Sequence, residues 1–151
     1  MKFTLTVNGE AREVRGEARY TLADVLGTHA GCEHGICGAC TVIVDGEPLR
    51  ACLMFAIQAA GSEVTTIEGI TGSDGGLNNV QEAFRAEHRL QCGFCTPGFV
   101  VSVTAFLRDF PNPTDRQIKE ALSGNLCRCT GYQHIVEAVE YAAKKAVAGK
   151  P

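Results

Sequence analysis

Eight cysteines stand in 151 residues, and their spacing says more than their number. The first four read Cys32-x4-Cys37-x2-Cys40, followed after eleven intervening residues by Cys52. The last four read Cys92-x2-Cys95 and, after a long gap, Cys127-x-Cys129. Soft thiolates select zinc, cuprous copper or iron–sulfur clusters. Two sets of four suggest two separate metal sites, each with a complete set of thiolate donors. The C-x4-C-x2-C run with a later cysteine is the plant-type [2Fe–2S] spacing. Its logic is a tight loop that turns several sulfurs inward. Gly31, Gly35 and Gly38 punctuate that loop, and glycine lets backbone N–H groups come close to the bridging sulfides. Those hydrogen bonds help to set the reduction potential.

Other uses of the same residues fit less well. An even cysteine count raises a disulfide framework, which belongs to secreted chains too small to build a core. This N-terminus reaches polar turn residues by position 8 and shows no signal-peptide apolar region, cleavage site or twin arginine. A cytoplasmic chain with reduced thiols is the expectation. A zinc ribbon would pair the knuckle-like Cys37/Cys40 and Cys92/Cys95, leaving Cys32, Cys52, Cys127 and Cys129 idle. A Rieske centre would use Cys32-x-His34 and Cys52, but its second histidine would fall at Phe55, which cannot ligate iron. Thiol–disulfide exchange at Cys92-x2-Cys95 lacks a preceding βαβ pattern and also strands two cysteines.

The surrounding elements must position these sulfurs. Hydrophobic residues make up 45% of the chain and charged ones 21%, enough apolar material for a core and against disorder. The longest run of apolar and small hydroxyl residues, at 99–107, stops at Arg108, far short of a membrane span. A net charge of −3 gives no reason to expect nucleic acid. Residues 2–7 alternate apolar and polar, and Asn8-Gly9 signals a hairpin into a strand around 11–15. Thr21 with Asp24 makes a capping box for a short helix over 21–26. A strand at 41–44, an Asp45-Gly46 turn, a return strand reaching Cys52 and a last strand at 64–67 complete a mixed α+β unit. Residues 69–79 read as a linker, rich in turn formers.

Beyond the linker the period becomes helical. Val80, Ala83, Phe84 and Glu87 share one face, Pro97 opens a helix through Arg108, and Pro111 and Pro113 end it. Thr114 with Gln117, and Thr130 with Gln133, each form a capping box before another helix. Ile135, Val136, Val139 and Ala142 lie at helical spacing in the last of these. This predicts four helices as two antiparallel pairs, with each cysteine pair just before a helix N-terminus, whose positive dipole end favours thiolate.

Three strings make the chain similar to a known family: GCEHGICGACT at 31–41, LQCGFCTPG at 90–98 and GNLCRCTGY at 124–132. The chain resembles, over essentially its whole length, the iron–sulfur subunit of molybdenum hydroxylases, the group of xanthine dehydrogenase, aldehyde oxidase and carbon monoxide dehydrogenase. CLMFAIQ at 52–58 and TTIEG at 65–69 look nearest to the carbon monoxide dehydrogenase-like small subunits. The resemblance implies an N-terminal β-grasp, plant-type ferredoxin-like domain, 1–70, and a C-terminal four-helix [2Fe–2S]-binding domain, 77–151. It implies one cluster on Cys32, Cys37, Cys40 and Cys52, toward a medium FAD subunit. A second on Cys92, Cys95, Cys127 and Cys129 would lie toward a large molybdenum-cofactor subunit. Gln91 would hydrogen-bond the pterin, and Cys129 would also approach it. The connection from the helix at 22–26 to Gly31 is shorter than is usual in that family.

The function so implied is electron relay. Substrate oxidation at molybdenum yields two electrons, each cluster carries one at a time, and a flavin collects a pair. A free-standing two-cluster ferredoxin is the alternative, and a zinc-binding interaction module a third. The other polar residues read more plainly. His34 reads as loop packing, while His29, His88 and His134 read as structural. Arg128 is either a charge favouring thiolates or a solvated or subunit-facing arginine. Glu137, Glu140, Lys144 and Lys145 read as the solvent face of the last helix, and Phe94, Phe99 and Phe106 as packing.

Overall fold

The computed structural model describes residues 1–72, 74–86 and 90–148. β1 (Lys2–Val7) and β2 (Glu10–Arg15) form a hairpin. Its turn places Asn8 at φ 52° and Gly9 at φ 83°, the left-handed pair that matches strand twist. Next come α1 (Leu22–Leu26), β3 (Thr41–Val44), β4 (Glu47–Arg50) and β5 (Glu63–Thr65). The sheet order is β2-β1-β5-β3-β4. The last-made strand, β5, slots into the middle, parallel to β1 and antiparallel to β3. α1 buries Leu22 and Ala23 against Leu5, Val7, Val42, Val44 and Val64. That is the β-grasp arrangement the resemblance implies.

Among the described residues four α-helices follow: α2 (Asn79–Arg85), α3 (Thr96–Asp109), α4 (Asp115–Leu122) and α5 (Gln133–Ala148). α2 packs on α5 and α3, and α4 packs on both α3 and α5. Val80, Phe84, Phe99, Val103, Ile118, Leu122, Ile135 and Val139 make their common core. β3 belongs to both cores. Val42 and Val44 face the sheet's own core, while Ile43 packs with the helices. Alternation at period two sends neighbouring side chains to opposite faces, and α3 lies against the far face of this strand.

Several elements end differently from expectation. β4 stops at Arg50, and Cys52 sits in a 3-10 turn over Ala51–Leu53. The Ala51 amide donates to the Cys40 carbonyl at 3.2 Å, folding the chain back over the cysteine loop. β5 stops at Thr65, and Ile67 begins another 3-10 turn. Here the Asn8 side chain takes the Thr66 amide (2.9 Å) and donates to its hydroxyl (2.9 Å), pulling Thr66 from the ladder. The capping boxes at Thr21 and Thr114 are present; the one at Thr130 is not. Gly131 and Tyr132 have φ of 65° and 70°, so no helix passes through them, and α5 starts at Gln133. The expectations for Glu87 and His88 lie outside the described residues.

Candidate metal centres

The eight thiols are free and fall into two groups that do not mix. In the first, Cys32 lies against Cys37, and Cys52 lies against Cys40 and feels the charge of Cys32. In the second, Cys92 and Cys129 bring their sulfurs to 3.4 Å, and Cys95 lies against Cys127. Among the described residues no three His, Cys, Asp or Glu side chains group as a single-ion site requires. Paired thiols, two pairs to a site, suit a binuclear cluster with two cysteines on each iron.

Backbone amides converge on the first group. Amides of Cys37, His34 and Ile36 donate to Cys32, with Cys37 N–H at 3.3 Å from its sulfur, and pull that thiol down to about 6. A loop that aims N–H groups at sulfur is built for thiolate, and the left-handed Glu33, Gly35 and Gly38 (φ 58°, 85° and 72°) shape it. Burial acts the other way on the deeper sulfurs. It pushes Cys52 up to about 11 and Cys95 up to about 12, in each case reinforced by the neighbouring thiol. Such thiols need a metal charge beside them to ionise.

The second group lines one narrow cleft, which Cys92, Cys95, Cys127 and Cys129 share with Gln91, Thr130 and Leu90. The two cysteine pairs are not equivalent with respect to the helices. Cys95 is the N-cap of α3, yet burial, reinforced by Cys127, raises its thiol. Cys127 and Cys129 are separated from α5 by the left-handed Gly131–Tyr132 turn. Burial raises Cys127, but the Thr130 hydroxyl, 3.1 Å from its sulfur, and the Thr130 and Cys129 amides outweigh it and lower the thiol overall. The Phe94 amide lowers Cys92. The Thr130 hydroxyl therefore serves a sulfur and accepts from the Tyr132 amide at 3.2 Å, in place of the capping box with Gln133.

Between the two groups the loops touch. The Leu126 amide, next to Cys127, donates to the Cys37 carbonyl at 2.8 Å. His29 stacks on Phe94, centroids 4.8 Å apart at 9°, and its Nδ1 lies 2.9 Å from the Phe94 carbonyl oxygen. His34 bonds the Cys32 carbonyl, as loop packing requires, and His134 sits 3.5 Å from Glu137 on α5. Gln91 and Arg128 are exposed at the mouth of the second group. Sequence reasoning missed Arg50, Asn125 and Tyr132. The Tyr132 hydroxyl accepts from the Cys127 amide at 3.0 Å and donates to the Asn125 carbonyl at 3.3 Å. Only the GNLCRCTGY string pointed there.

Apolar residues surround both groups at the surface. Ile36 (59% exposed) and Leu53 (65%) flank the first, and Phe94 (47%) and Leu126 (49%) the second. No helix among the described residues is long and apolar enough to cross a membrane.

Fold and thiol geometry define a two-cluster, ferredoxin-like protein. Residues 13–74 match the model of a 2Fe-2S iron-sulfur cluster binding domain, and residues 66–140 that of a [2Fe-2S] binding domain. The nicotine 6-hydroxylase small subunit of Paenarthrobacter nicotinovorans is 52% identical, over 92% of this chain and 87% of that one. Caffeine dehydrogenase subunit gamma of Pseudomonas sp. (strain CBB1) is 51% identical, over 91% and 87%. Quinoline 2-oxidoreductase from Pseudomonas putida 86 contains a chain that superposes with a TM-score of 0.90 at 42% identity. The match covers 100% of this chain and 98% of that one. The aldehyde oxidoreductase of Desulfovibrio gigas superposes at 0.88 with 38% identity, but this chain spans only 18% of it. The chain belongs to the iron–sulfur subunit family of the molybdenum hydroxylases, and it carries two [2Fe–2S] clusters.

Proposed function

We propose that this chain relays single electrons from a molybdenum–pterin subunit to an FAD subunit of a cytoplasmic oxidoreductase. Cys92, Cys95, Cys127 and Cys129 hold the cluster on the molybdenum side, and Cys32, Cys37, Cys40 and Cys52 the one on the flavin side. One domain, 1–70, carries the flavin-side cluster, and the other, 77–151, its partner. The clusters supply reversible one-electron chemistry. The chain's own residues fix their spacing, donate N–H to sulfur and exclude water. Gln91, exposed beside Cys92, would hydrogen-bond the pterin. The observation that carries the reading is the division of the eight thiols into two unmixed fours on loops joined by the Leu126–Cys37 hydrogen bond. The exposed apolar residues around each four suit burial against partner subunits.

The test is metal and acid-labile sulfide analysis with low-temperature EPR of the reduced complex. Two clusters require four iron and four sulfide per chain and two distinguishable S = 1/2 signals. One signal after anaerobic reconstitution would overturn the second site. A stable two-cluster chain purified from its source without larger partners would instead establish a free-standing ferredoxin.

A further inference from the structure

We propose that Asn125 is a positioning residue for electron transfer, its buried amide clamping one cysteine loop against the other and so setting how far apart the clusters lie. The proposal rests on the assignment of the eight cysteines to two clusters. Asn125 is 2% exposed, and with Thr41 and Thr66 it completes the buried polar residues among those described. Its Nδ2 donates to the Gly38 carbonyl at 3.1 Å, inside the first cysteine loop. The Ser102 hydroxyl of α3 donates to its Oδ1 at 3.1 Å, which fixes the amide's orientation. The same Gly38 carbonyl accepts from the Thr41 hydroxyl at 2.6 Å, and that hydroxyl accepts from Arg50 at 2.7 Å. Arg50 also donates to the Gly124 carbonyl, next to Asn125.

The junction has no room to adjust. A Cβ on Gly38 would come within 2.6 Å of the Asn125 amide nitrogen, and one on Gly98 within 2.2 Å of the Gly38 carbonyl oxygen. A Cβ on Gly124 would lie 2.7 Å from Arg50. Gly38 and Gly98 thus let backbones and one amide occupy a space that a side chain would spread, while at Gly124 only the flexible Arg50 head would have to move. Gly38 follows Cys37, and Asn125 precedes Cys127 by two residues. The clamp therefore acts one or two residues from a sulfur on each side. In the step it serves, one electron leaves the reduced cluster of the second group and reduces that of the first. No bond breaks and no proton moves. Asn125 touches neither cluster in this scheme and acts through loop placement alone.

The experiment compares Asn125→Ala with wild type in the assembled complex, using variants whose iron and sulfide contents match. In the fully reduced protein the magnetic interaction between neighbouring clusters falls steeply with distance, so the variant loses splitting in its EPR spectrum. Electron transfer between the clusters slows as well, because tunnelling falls off exponentially with separation. Unchanged splitting and rate in a fully loaded variant would overturn the proposal alone. A wild type lacking two signals would overturn the cluster assignment and the proposal with it. Where Asn125→Ala fails to load both clusters, Ser102→Ala and Ser102→Thr decide. Ser102→Ala shifts the splitting and Ser102→Thr, which keeps the hydroxyl, restores it; two variants that both match wild type would overturn the clamp.

Discussion

Two half-buried cysteines, Cys32 and Cys95, face different problems here. Cys32 is drawn down to about 6 by amides that point at it, whereas Cys95 is held up to about 12 by burial beside other thiols. Both suit a metal site, one by welcoming charge and the other by offering a dry pocket once the metal supplies it. Replacing Cys127 with serine removes a sulfur from the second group and none from the first. We expect one EPR signal to be lost or shifted, and the other to keep its shape and still accept an electron on dithionite reduction. Loss of both signals together would mean that the two groups do not load independently. Gln91→Ala leaves both groups of thiols intact. The complex should keep its iron content and both signals, while reduction of its clusters by substrate slows; unchanged kinetics would remove Gln91 from the pterin contact.

At the scale of elements, most of the scaffold could be read from the chain, and the exceptions share a cause. Asn8-Gly9, Asp45-Gly46 and the capping boxes at Thr21 and Thr114 are local devices, complete within four residues, and all four are present. Where reading failed, another partner, far along the chain for Thr66 and three residues back for Thr130, had claimed the local group. Asn8 takes the Thr66 amide from β5, and Cys127 takes the Thr130 hydroxyl from α5. The cysteine spacing likewise separated the two groups, while Asn125 and Arg50 escaped because their partners lie 87 and 74 residues away, and Tyr132 because a phenol bonding the backbone of its own loop leaves no spacing pattern. The cap of α1 gives an independent test. Thr21→Ala should cost about 1 kcal/mol in unfolding free energy, the usual worth of an N-cap, measured by denaturant titration. The Thr21 hydroxyl, and then its amide, hold Asp24 below the usual aspartate range. Its contribution is therefore complete above the ordinary value of about 4 and fades as pH falls through the lowered one. Asp24→Asn should flatten that acid limb, and an unchanged limb would show that other carboxylates set it.

The whole molecule is joined by a seam, not a hinge. α3 lies on β3, and Arg108 reaches from the end of that helix to the Gly46 carbonyl at 2.7 Å. Gly98→Ala should be among the most damaging single substitutions, because the obstructing atoms are backbone. Overpacking typically costs about 1–3 kcal/mol, and here we expect a lower Tm together with reduced occupancy of both clusters. A variant with wild-type Tm and iron content would show that the seam can open. The double duty of β3 has a further consequence for the newborn chain. Val42, Ile43 and Val44 leave the ribosome more than fifty residues ahead of α3. Until that helix is made, the Ile43 side of the strand has nothing to cover it. Nascent chains in this condition are aggregation-prone. Synthesis therefore passes through an interval in which the first cysteine loop is complete and its supporting strand is still bare on one side. That interval closes only when α3 docks on the strand.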